Sequence, residues 1–129
     1  MPTYTVSLRI ESPDLDVAKL TRDLGIQPTQ TRRRGDRRSE STVWEKALWE
    51  FVVFPEGGTD WDSLEAGLVE LVRVFAPHLQ LLQKYKESHD IYLWCGVFDP
   101  GFSGGPRLSS EILGKLAALG APISFAIYP

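Results

Sequence analysis

The chain has 129 residues, 43% of them hydrophobic and 24% charged, with a formal net charge of −3. That balance fits one globular domain burying roughly two-thirds of its unfolded surface, and it argues against extended disorder. One cysteine cannot close an intramolecular disulfide, no charged-then-apolar leader opens the sequence, and no apolar run approaches the roughly 18 residues of a bilayer span, so the expectation is a cytoplasmic protein without membrane segments or staples.

Residues 4–10 alternate, with Tyr4, Val6, Leu8 and Ile10 on one face and Thr5, Ser7 and Arg9 on the other, the period of a half-buried strand. A helix is predicted over 14–24. Ser12 or Asp14 can cap it, Pro13 suits its first turn, Asp16 complements its dipole, and Gly25 offers a left-handed closing position. Residues 27–42 lack apolar periodicity and carry Pro28, Gly35 and a run of arginines, which reads as a long loop. A second strand is predicted over 43–54, rich in β-branched and aromatic residues and stopped by Pro55, Gly57 and Gly58.

Thr59 or Asp60 then caps a helix whose Trp61, Leu64, Leu68, Leu71, Val72 and Phe75 share one face. Pro77 breaks it, and residues 78–86 form a second helical piece. Residues 91–98 are apolar at almost every position, as in a central strand covered on both faces. After a turn over 99–106, Ser109 caps a helix to Leu119 that Gly120 closes, and Ile123, Phe125 and Ile127 alternate with Ser124, Ala126 and Tyr128 in a last strand.

The two ends of the chain echo each other: a strand, a capped helix, a Leu-Gly pair at 24–25 and at 119–120, and a return strand. This organises an α+β fold, with two strand-helix-strand halves joined by the broken helix over 60–86, a four-stranded sheet, and helices mainly on one face. Val6, Leu8, Leu20, Leu24, Leu68, Leu71, Leu93, Val97, Leu116 and Ile127 lie on the apolar phase of their elements and are the predicted core.

No residue constellation names a reaction. Two histidines and one cysteine fall short of a close-spaced zinc pattern, Cys95 sits in the most apolar strand as a small hydrophobe, and Asp14, Asp16, Asp60 and Asp62 mark helix starts. No cofactor, metal or catalytic residue is expected, and the protein reads as a non-enzyme. The distinctive chemistry is charge: Arg32, Arg33, Arg34, Arg37 and Arg38 stand together with only Asp36 among them, while the remainder of the chain is acidic. Guanidinium forks suit carboxylates and phosphates, so an acidic protein or an anion is the candidate partner of this loop, which would be mobile when free, and the plain alternative is a solvated charged loop with no partner. Nucleic acid is disfavoured because no aromatic residue lies between Ile26 and Val43 to stack bases.

The second candidate is the glycine-rich start of the last helix, residues 101–110. There Gly104, Gly105, Arg107, Ser109 and Ser110 bring backbone N–H groups towards an anion or small ligand, although neither glycine-rich nucleotide motif is present. Trp44, Trp49 and Trp94 fall on predicted strands, with Trp44 and Trp49 on opposite faces. Either an aromatic sheet face is open for binding or homodimerisation, or the long loop folds over it.

The first strand, the Leu24-Gly25-Ile26-Gln27-Pro28-Thr29 segment, the glycine of the following loop, Trp49, and the close from Leu119-Gly120 to Ile127-Tyr128 together resemble a bacterial family, domain of unknown function 4279. The resemblance spans nearly the whole chain and implies a compact bacterial cytoplasmic domain with no established activity. It transfers no catalytic residue. The functional expectation is therefore an interaction domain that binds another protein, regulatory or of immunity type by analogy of size. A ligand or anion site at 101–110 is the alternative, and nucleic-acid binding through the arginine loop is the third reading.

Overall fold

A computed structural model describes residues 2–101 and 104–129. Strand β1 (Thr3–Ser12) leads into helix α1 (Val17–Leu24), a short strand β2 (Gln30–Arg32) and strand β3 (Ala47–Val53). Helix α2 (Leu64–Phe75) continues through a 3-10 turn at Ala76–His78 into α3 (Leu79–Lys86), followed by β4 (Asp90–Phe98), α4 (Ser110–Leu119) and β5 (Ile123–Tyr128). The mixed α+β class stands, but the sheet has five strands in the order β2-β3-β1-β4-β5, not four.

The extra strand is β2, inside what the sequence presents as loop. Three polar residues carry no alternation, and only their pairing with Leu48, Trp49 and Glu50 makes them a strand. β2 runs antiparallel to β3 and β3 antiparallel to β1, so β2 is parallel to β1. The first half is thus strand-helix-parallel strand with β3 inserted between, and the second half, β4-α4-β5, is the same unit with its strands adjacent. Gly25 and Gly120 both close their helices at positive φ, 68° and 75°. Pro77 lies in the 3-10 turn that divides α2 from α3.

Two helix starts differ from expectation. Asp16, not Ser12 or Asp14, caps α1 by accepting from the Lys19 N–H. Ser63, not Thr59 or Asp60, caps α2, because Trp61 is held beforehand in a two-way backbone bridge to Tyr4 and donates its indole N–H to the Val53 carbonyl.

All four helices cover the face of β1 that carries Tyr4, Val6, Leu8 and Ile10. Trp49, the register partner of Ile10, donates to Thr21 of α1 and meets Phe75 of α2 edge-on, while Leu82 of α3 and Ile112, Leu116 and Leu119 of α4 complete the core. Nine of the ten predicted core residues are buried; Ile127 is 72% exposed. Its apolar phase is real, but β5 is an outer strand and the helix layer does not reach that far along it.

α2 comes closest to the sheet at Gly67, where a Cβ would stand 2.7 Å from Val6 Cγ2 and 3.1 Å from Trp61 Cδ1. Alanine would gain about 1 kcal/mol of helix propensity. Val6 is fully buried and its branched side chain is stiff, so overpacking of about 1–3 kcal/mol outweighs that gain. Gly67→Ala is expected to lower the urea midpoint.

Candidate functional site

The face of the sheet away from the helices is lined by the alternate residues of each strand. At its centre Glu50 is only 5% exposed. Its Oε2 accepts from Ser7 Oγ at 2.8 Å and from Arg9 Nε at 2.6 Å, and the Arg9 guanidinium lies 4.3 Å above the Trp94 ring. Burial works against the Arg9 charge, but the hydrogen bond and charge of Glu50, with Tyr92 adding to them, raise its pKa above the ordinary value. Further along, Phe98 and Tyr128 stack with centroids 4.8 Å apart.

The β2-β3 connection folds back on itself beside this face. The Arg33 N–H donates to the Asp36 carboxylate, the Gly35 N–H donates to the Trp44 carbonyl while the Trp44 N–H donates to the Asp36 carbonyl, and Arg37 bridges to Val43. Gly35 holds φ at 92°, a conformation that favours glycine. The arginines therefore sit on a hairpin with its own hydrogen bonds and not on an open loop.

Trp44 belongs to this hairpin, not to a strand. The Arg32 guanidinium carbon is 3.5 Å from its ring centroid and that of Arg38 4.6 Å. Arg32 pairs in register with Leu48, which is almost fully buried on the open face, so the stack covers that end of the sheet. The buried Arg32 Nε has no hydrogen-bond partner. An aromatic residue thus does join the arginine run, from the position immediately after Val43.

Arg33, Arg34, Arg37 and Arg38 are exposed and Arg32 is half-buried. The ion pairs among the described residues join Arg9 to Glu50, Lys19 to Asp23 and Arg73 to Glu70, so none of the five guanidinium groups of the loop has a described carboxylate within 4.0 Å. The Arg37 guanidinium donates to the Glu40 carbonyl at 3.3 Å.

At the second candidate, Phe102 and Ser103 lie outside the described residues. Gly104 and Gly105 have positive φ, and Arg107 and Ser110 are exposed. Ser109 caps α4 by accepting from the Ile112 N–H, while its own N–H and hydroxyl donate to Glu65 of α2 at 2.6 and 3.0 Å. A carboxylate of the chain itself therefore occupies this helix start, a partnership no local motif could announce across 44 positions. Beneath Gly104 and Gly105 lies a cavity of about 520 Å³ with Leu64, Val97, Leu108, Phe125, Ile127 and Tyr128 in its wall.

Among the described residues no group of three or more His, Cys, Asp or Glu could hold a metal, and no helix is long and apolar enough to cross a membrane. The chain belongs to the family described as "Domain of unknown function (DUF4279)", which matches residues 2–129. No curated protein and no solved structure matches it.

Proposed function

We propose that this protein is a non-enzymatic interaction domain that docks an acidic protein surface through Arg32, Arg33, Arg34, Arg37 and Arg38. The observation carrying this reading is that five guanidinium groups stand on one hairpin with no carboxylate partner among the described residues, on a chain that is otherwise acidic. Planar forks held by a hydrogen-bonded turn recognise carboxylates bidentately, and the acidic remainder of the surface repels the same partner, which fixes its orientation. An anion at 101–110 is less well supported, because Glu65 already takes the Ser109 donors and the neighbouring cavity wall is apolar apart from the acidic Asp99.

The test changes Arg33, Arg34, Arg37 and Arg38 to Ser and follows binding to immobilised polyglutamate over a salt series, with a single-stranded oligonucleotide in parallel. The parent should bind polyglutamate at low salt; the variant should lose that binding and its salt dependence while its thermal midpoint moves by no more than a few degrees. Retained polyglutamate binding in the variant removes the hairpin from the function. Tighter binding of the oligonucleotide than of polyglutamate moves the assignment to nucleic acid.

A further inference from the structure

The two edges of the sheet are built differently. β2 is three residues long, polar and followed by the arginines, which are features that discourage strand addition. β5 has none of these. Ile123–Tyr128 contains no charge and no proline, pairs among the described residues with β4 on one side only, and leaves Phe125, Ile127 and Tyr128 exposed to 47%, 72% and 46%. An uncharged, apolar, unpaired edge of this length is a template for another strand.

We propose that β5 is a homodimer interface, pairing antiparallel with β5 of a second copy to make one ten-stranded sheet. Three features select a second copy. The strand offers no charge with which to recognise a foreign partner, yet its apolar stripe is self-complementary. A head-to-tail pairing of β5 with β2 would meet only three residues and the arginine hairpin, so the two-fold arrangement is the one that closes. Pairing centred on Ala126 sets Phe125 of each copy opposite Ile127 of the other on the helix side, where each would cover the open wall of its neighbour's apolar cavity.

Aromatic side chains offer about 150–250 Å² each, so the three exposed side chains leave on the order of 300 Å² per copy to be covered. A standard interface needs about 800 Å² per partner, so the strand backbone and the 104–108 segment must supply the rest, and the dimer should be of roughly micromolar strength. The contact lies at the sheet edge, not on its aromatic face, and is independent of the arginine hairpin at the opposite edge.

Sedimentation equilibrium of the full chain from about 1 to about 500 μM should show the mass doubling with concentration, and Ile127→Lys should weaken association at least ~tenfold with unchanged circular dichroism. Ala126→Cys supplies an independent reading. Opposed across the two-fold axis, the two new thiols should form an intermolecular disulfide on mild oxidation, while Cys95 is fully buried with its thiol pushed up to about 12 by burial and stays out of the reaction. A parent that stays monomeric over the whole range overturns the proposal, as does a dimer that Ile127→Lys leaves intact. So does a monomer that captures an extended foreign peptide on this edge. Should Ile127→Lys prove unfolded, the Ala126→Cys crosslink decides, its formation supporting the pairing and its absence refuting it.

Discussion

Trp49→Ala is expected to destabilise the protein by about 3–5 kcal/mol, read as a large drop in the urea midpoint with an unchanged slope. Trp49 is fully buried. Its ring joins three elements: it stands on β3, donates its indole N–H to Thr21 of α1 at 3.1 Å, and meets Phe75 of α2 edge-on at 6.2 Å. Truncation opens a cavity and leaves those partners without their contact, in a domain whose total stability is of order 5–15 kcal/mol. Trp44→Ala is the control. That ring is half-exposed on the hairpin, where two arginine stacks contribute about 0.5–1 kcal/mol each at an accessible site, so its loss should move the midpoint far less. Equal effects of the two substitutions would mean that Trp49 does not anchor the core as described.

The contrast between these tryptophans also marks what the sequence could and could not say. Trp49 sits in a run of β-branched and aromatic residues that reads as strand, and its burial follows. Trp44 sits at the start of the same run but precedes β3, because the Gly35-Trp44 backbone pair draws it into the hairpin. Local signals located the C-terminal ends of α1 and α4, since Gly25 and Gly120 act through their own φ angles. Signals that depend on a distant partner were invisible: β2 exists only through β3, and Glu65 reaches Ser109 only once α2 and α4 lie side by side. The charge cluster was legible residue by residue, but that its guanidinium groups find no carboxylate among the described residues is a property of the fold. Ile127 shows the same limit from the other side. Alternation announces an apolar face, and whether the chain itself covers that face is decided by where the strand falls in the sheet.

Glu50→Ala should cost about 3 kcal/mol, the second large effect, and the double substitution Arg9→Met with Glu50→Leu should recover most of it. Glu50 interrupts an otherwise apolar strand. In the sheet it is opposite Arg9 in register, accepts from both Arg9 and Ser7, and keeps only 7% of its side-chain surface exposed. Removing the carboxylate leaves a guanidinium on the sheet with no countercharge, which for a fully buried pair costs about 3–5 kcal/mol. The lower end applies because the Arg9 side chain retains 23% of its exposure and can be partly hydrated. Replacing both partners by apolar residues removes the desolvation cost along with the attraction, so the face should close over a Met-Leu contact beside Trp94. A double-mutant cycle by urea denaturation measures the coupling. If each single substitution costs no more than a surface change of about 0.5 kcal/mol, the pair is incidental to the fold. A large coupling instead means that the centre of this face is already committed to internal pairing through Glu50, Arg9 and Trp94.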